Sequence, residues 1–308
     1  LGDVYKRQKL NIKESDVLVA STGVIGKPLN IDLIEENMDE LVNNLSKQGH
    51  IGAREAIMTT DIIKKEIAVA IMYGDKKITI GGMAKGSGMI HPNMATTLGF
   101  ITTDANIDGV LLKEALKIAV DKSFNRVSVD GDTSTNDMVM ILANGKAKND
   151  RINKKDEHYQ VFLSALTYVC IELAKLVAKD GEGCTKLIEC YINGALSEAH
   201  AVKLAKTVIS SSLVKTAVFG ADANWGRILC ALGYAGEEID MEKVDIIFES
   251  MKGYIEVCKN GNGLDFNEEK AKKILEDDEI SILVDLNMGN ARGNAWGCDL
   301  SYDYVRIN

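Results

Sequence analysis

The groups in this 308-residue chain best placed to do chemistry lie between Gly81 and Phe100. Five glycines fall in that run, Gly81, Gly82, Gly86, Gly88 and Gly99, together with Pro92, one of only two prolines in the chain. A glycine inside an element costs roughly 0.5–1 kcal/mol relative to alanine, and that cost is kept where backbone must approach a ligand or hold an unusual conformation. The phosphate-loop readings fail. After Gly86-Ser87-Gly88 a dinucleotide fingerprint wants a third glycine where His91 stands, and no Gly-Lys-Ser/Thr follows. What the run offers instead is the Lys85 ammonium and the hydroxyls of Thr96 and Thr97. Paired threonines ahead of the strand-like Leu98–Thr103 are also ordinary strand formers, so residue type alone leaves Thr96 open between the two roles.

Other candidate groups are scattered. Glu182, between Gly181 and Gly183, is a carboxylate on a tight loop that by itself reads as an exposed acid. Asp130, Asp132 and Asp137 are no calcium loop, because Gly131 adjoins the first acid instead of holding the sixth position; they read as support at a helix start. The four histidines form no spaced pair, so a metal is not expected. Six cysteines without a Cys-x-x-Cys spacing indicate neither a zinc site nor a disulfide framework and fit a reducing cytoplasm. A net charge of -9 argues against nucleic acid or an anionic membrane as partner. The apolar stretch from Val161 to Ala178 is interrupted by Glu172 and Lys175 and reads as an amphipathic helix, not a membrane span.

The elements that must position these groups alternate between strand and helix patterns. Strands are expected at Asp16–Ala20, at Glu66–Met72 and Lys77–Ile80 around a Gly74-Asp75 turn, and at Leu98–Thr103, Val127–Val129, Lys186–Tyr191, Thr216–Phe219, Val244–Phe248, Tyr254–Val257 and Ser281–Leu286. Helices are expected at Ile31–Leu45, Gly109–Phe124, Asn136–Leu142, Tyr159–Ala178, Ser197–Ser210, Trp225–Leu232 and Glu268–Leu275. That mixture predicts an α/β (mixed α+β) fold of layered sheets covered by helices. A main catalytic lobe over 9–195 and a smaller C-terminal lobe over 196–308 are expected.

The run from Lys85 to Thr96 closely resembles the self-cleavage segment of the ornithine acetyltransferases, or glutamate N-acetyltransferases, of arginine biosynthesis. Six further segments match that family in register: Ser21–Gly26, Met58–Asp61, Asp130–Asp137, Asp180–Lys186, Asp222–Arg227 and Trp296–Asn308. Leu1–Gln8 resembles no part of it and is expected to be a non-native leader. The family carries a segment before Val17 and a few residues beyond Asn308, so the chain reads as a fragment.

The resemblance implies autocatalytic cleavage between Ala95 and Thr96. A threonine hydroxyl needs a base, and as the first residue of a new chain Thr96 would have its own α-amino group, with an ordinary pKa of about 7.7–8.0. Thr22 and Gly23 match the family's oxyanion-hole pair. Thr59, Lys85, Glu182 and Asn308 match positions that, with Thr96, bind substrate. A second C-terminal hydroxyl contact of the family is absent. The implied reaction moves an acetyl group from N-acetylornithine to glutamate through acetyl-Thr96, without a cofactor. Acetyl-CoA is a further donor in the bifunctional branch. The cleaved α and β chains are implied to assemble as a heterotetramer, two of each. Two alternatives are a self-cleaving N-terminal-nucleophile aminopeptidase or amidase, and a truncated chain without activity.

Overall fold

The computed structural model describes residues 10–91 and 97–308. The N-terminal stretch carries three short helices, α1 (Ile31–Glu36), α2 (Met38–Asn43) and α3 (His50–Ala56). A single helix over Ile31–Leu45 is thus interrupted at Asn37, whose side-chain amide donates to the Leu33 carbonyl (2.8 Å) and competes with the helical ladder. Asp16–Ala20, expected as a strand, forms none: no described strand pairs with it, and Leu18 stays about half exposed. A short apolar run without a partner edge has no ladder to hold it.

The first sheet begins with a hairpin, β1 (Lys65–Tyr73) and β2 (Lys76–Lys85), closed through Gly74 at a positive φ of 59°. Strand β3 (Leu98–Thr103) lies antiparallel to β2. The chain then makes α4 (Gly109–Asp121) and the two-residue β4 (Val127–Ser128) before returning in β5 (Met138–Ala143), parallel to β3. The order is β1-β2-β3-β5. Strand β5 replaces the helix expected at Asn136–Leu142. A short apolar run has no decisive period, and here the open edge of β3 settles it.

Helix α5 (Glu157–Lys179) starts at Asp156, whose carboxylate accepts from Tyr159 N (3.2 Å). By length and apolarity it could cross a bilayer. In this fold it is the core helix, with Phe162, Leu166, Val169 and Leu173 fully buried against Ile78, Ile80 and Ile101. Gly82 permits the approach: a Cβ there would lie 2.9 Å from Leu173 Cδ1.

The remaining chain runs β6 (Leu187–Ala195), α6 (Glu198–Ser210), α7 (Ser212–Phe219), α8 (Trp225–Gly233), β7 (Asp245–Ser250), β8 (Gly253–Lys259), β9 (Asn262–Gly263), α9 (Glu268–Leu275), β10 (Glu279–Asp285), β11 (Ala291–Cys298) and α10 (Tyr302–Ile307). Its strands and β4 form one sheet in the order β4-β11-β6-β10-β7-β8-β9. Thr216–Phe219 is helical, contrary to the expected strand, because the Ser211 hydroxyl accepts from Val214 N and caps a helix that buries Val214, Ala217 and Val218. Successive residues of β11 serve opposite faces, Trp296 joining the α5 core and Ala295 the core under α6. The result is sheet, helix, sheet and helix in layers, the mixed α/β class expected from the sequence.

Candidate active site

Strand β2 delivers Lys85 and Gly86 to the end of the first sheet, and three groups hold them there. Lys85 Nζ donates to Thr59 Oγ1 (2.9 Å). Gly86 N donates to Asp61 Oδ1 (2.7 Å). The Thr97 hydroxyl donates to the Lys85 carbonyl. Gly86 has a φ of 145°, and a Cβ on it would meet Thr97 Oγ1 at 2.9 Å, so the glycine is required by both backbone and space.

The turn that follows is fixed from outside. Asp130 accepts from Met89 N (2.6 Å) and Ile90 N (2.9 Å), while Met89 sits at a φ of 55°. Asp130 therefore supports the glycine-rich turn as expected, although the chain beyond it leads to a strand and not to a helix. His91 Nδ1 lies 2.9 Å from Ser128 Oγ. Burial lowers the His91 pKa and Lys206 on α6 adds to the effect, against the opposing pull of Asp130 and Asp132. Burial brings Lys206 itself down to about 8.

Glu182 comes to the same place from the end of α5. Its backbone N–H donates to the Ser87 carbonyl (2.8 Å), and its carboxylate accepts from Asn308 Nδ2 (3.0 Å). The carboxylate occupies the space a side chain on Gly88 would fill, a Cβ there falling 2.4 Å from Oε2. Gly88→Ala is therefore expected to turn Glu182 away while costing the fold little, since only the flexible end of one side chain must give. Thermal melting should stay near the parent value and KM should rise about tenfold, the scale of one lost charge-assisted contact. Unchanged KM in steady-state assays would remove Glu182 from the site.

Thr22 lines a cleft of about 40 Å³ with Lys85, Gly86, Gly88, Thr97 and Asn136. Gly23 lies in an adjoining cleft of about 240 Å³ that shares Thr22 and Asn136. The structure thus brings Thr22, Lys85, Thr59, Glu182 and Asn308 into one neighbourhood with Gly23 beside it. Ala95 and Thr96 lie outside the described residues; Thr97, next to Thr96 in the chain, lines the cleft.

A support system beneath the site has no counterpart in the sequence reading. Lys65 Nζ, fully buried, bridges Asp61 Oδ1 (2.7 Å) and Asp180 Oδ2 (2.5 Å). Asp61 also accepts from Thr59 N (3.0 Å), and Asp180 from Ile62 N (3.0 Å) and Ile63 N (3.1 Å). Burial works to raise the Asp61 pKa, but hydrogen bonds from Gly86, Lys65 and Thr59 outweigh it and hold the carboxyl below its ordinary range. Asp61 and Asp180 fall in segments with a family resemblance; Lys65 gave no signal of its own.

The arrangement sets a cation, a carboxylate and hydroxyls around a glycine-lined cleft, a set suited to amino-acid substrates and an acyl oxyanion. Residues 4–308 match the model of the ArgJ family. Among curated relatives, the "Arginine biosynthesis bifunctional protein ArgJ 1" of Clostridium acetobutylicum is 56% identical, covering 97% of this chain and 73% of that protein. The "Arginine biosynthesis bifunctional protein ArgJ" of Caldanaerobacter subterraneus is 50% identical, covering 97% of this chain and 74% of that protein. A crystal structure of arginine biosynthesis bifunctional protein ArgJ from Bacillus halodurans aligns with a TM-score of 0.66 at 49% identity, covering 69% of this chain and 99% of that one.

Proposed function

The chain belongs to the ArgJ family, and from that premise we infer that it is the acetyltransferase of arginine biosynthesis that moves an acetyl group from N-acetylornithine to glutamate. Acetyl-CoA is read as a second acetyl donor, as in the bifunctional branch of the family; the relatives named above are called bifunctional.

In this reading the chain cuts itself before Thr96. The Thr96 hydroxyl adds to the Ala95 carbonyl, the peptide C–N bond breaks, and Thr96 keeps the freed amine while Ala95 is held as an ester. Water then opens the ester, leaving a carboxylate on Ala95 and returning the hydroxyl. In the transfer reaction that hydroxyl attacks the acetyl carbonyl of N-acetylornithine, and the Thr96 amine takes the proton and passes it to the departing ornithine amine. Glutamate's amine then displaces the acetyl group from Thr96. Thr22 Oγ1 and Gly23 N–H receive the oxyanion in each half-reaction, where losing one donor typically costs about 10²–10³ in rate. Lys85 and Thr59 meet substrate carboxylate and polar atoms, and Glu182 with Asn308 meets an ammonium. No cofactor has a part.

The observation that carries this reading is the convergence of Thr22, Lys85, Gly88 and Thr97 on one cleft, with Glu182 behind Gly88. The two products stay together and pair as a heterotetramer in the cytoplasm, a compartment that six free thiols suit.

Intact-mass spectrometry after incubation with N-acetylornithine alone tests the proposal. The fragment beginning at Thr96 should gain one acetyl group, and glutamate should remove it. An enzyme that turns over without ever carrying the label would exclude the covalent route.

A further inference from the structure

We propose that a cavity of about 430 Å³ between the end of α4 and the strands β6 and β11, sharing no residue with the clefts around Thr22, binds a small anion through carboxylate or phosphate oxygens. Its volume lies within the range of small-molecule sites, roughly 300–1,000 Å³.

The case rests on donors without acceptors. Trp296 lines the cavity, is only 2% exposed, and carries a buried indole N–H with no hydrogen-bond partner. Buried donors are nearly always satisfied, and this unsatisfied one belongs to a residue of the cavity wall. Arg126 lies beside it and is buried. Its Nε donates to the Asp121 carbonyl (3.0 Å), Nη1 to Asn294 Oδ1 (3.2 Å) and Nη2 to Glu198 Oε1 (2.5 Å). A guanidinium has five N–H donors, so one hydrogen on each terminal nitrogen remains.

Charge selects the sign of the ligand. Lys122 and Arg292 are exposed at the rim, and neither side chain makes an ion pair or hydrogen bond with a described residue. Glu198 is already paired with Arg126, and Glu189, nearby on β6, is held by Lys175 (3.3 Å) and Asn294 Nδ2 (2.9 Å). Two cations are left uncompensated around a concavity that Arg126 also lines. Paired oxygens of a carboxylate or phosphate suit the remaining guanidinium N–H groups.

Trp296 supplies its own reporter. The chain has two tryptophans, so in a Trp225→Phe background all indole emission comes from the cavity wall. That protein is titrated with inorganic phosphate and, separately, with succinate, each against chloride at matched ionic strength. A saturable change in Trp296 emission is expected, phosphate alone or succinate alone identifying which oxygen chemistry is preferred. Lys122→Ala/Arg292→Ala should weaken it at least tenfold while leaving acetyl transfer without added anion unchanged. Calorimetry on the otherwise unsubstituted chain, with and without that double change, gives the same comparison independently of Trp225. No saturable response to either anion, or equal binding by the double variant, would overturn the site.

Discussion

Thr96→Ala will emerge from purification as a single uncut mass and will lose acetyl transfer by about 10⁴-fold or more, the scale at which removal of a covalent nucleophile registers. The chain has two adjacent threonines here, and the structure describes the second. Thr97 is 5% exposed, its hydroxyl is given to the Lys85 carbonyl, and Gly86 closes over it. Its backbone is held as well, since its carbonyl accepts from Met138 N (2.9 Å) at the start of the β3–β5 ladder. A hydroxyl committed in this way cannot serve as a substitute nucleophile. Thr97→Val should therefore still yield two fragments dividing after Ala95, with some loss of stability from the unpaired Lys85 carbonyl. Thr96→Ser should be cut, because it keeps the hydroxyl. Cleavage of Thr96→Ala at the same bond would sink the assignment, and intact-mass spectrometry of the three variants side by side decides it.

The cleft around Thr22 was legible in the sequence to the extent that backbone constraints write themselves into residue type. Gly86 is a glycine because its φ of 145° and Thr97 Oγ1 exclude a side chain, and Gly88 because a Cβ there would displace the Glu182 carboxylate; their clustering marks the segment in the sequence. The hairpin around Gly74 and the long α5 are equally plain, since each combines a clear period with a clear stop. Thr216–Phe219, expected as a strand, and Asn136–Leu142, expected as a helix, depart from expectation for a common reason. Both are short apolar runs, and which element they form depends on what lies beside them: the Ser211 cap and the α6 core in one case, the open edge of β3 in the other. Strand β11 has no clear sequence signal because Arg292, Asn294 and the four small residues Ala291, Gly293, Ala295 and Gly297 dilute its pattern, although its partners β4 and β6 define it fully in space. Lys65 was illegible for a deeper reason. Nothing in a lone lysine on a strand announces that two aspartates, one of them 115 positions away, will enclose it.

That enclosure carries the second large effect. Lys65→Met should destabilise the fold by about 3–5 kcal/mol, because it leaves Asp61 and Asp180 buried together without their cation. A drop in melting temperature of roughly 10 °C corresponds to that loss in a chain of this size. Replacing buried ion pairs with apolar residues is often neutral, but only where both partners are replaced and nothing else depends on them. Here the two carboxylates also accept the backbone N–H groups of Thr59, Gly86, Ile62 and Ile63. Removing them would orphan those donors and release the backbone on either side of Lys85, so no apolar triad can stand in. Asp61→Asn should cost less than Lys65→Met, because the amide oxygen can still receive Gly86 N–H. The pH dependence follows from Asp61, whose folded pKa is depressed. Its contribution is complete above the unfolded value of about 3.9 and fades as pH falls through the lower folded value. Acid unfolding of the parent should therefore steepen below about pH 4, and Asp61→Asn should flatten that part of the curve. Melting temperatures for Lys65→Met, Asp61→Asn and the parent between pH 3 and pH 7 supply the test. A Lys65→Met protein that melts within about a degree of the parent would mean that the aspartates are neutral in the fold and that Gly86 is held by packing alone.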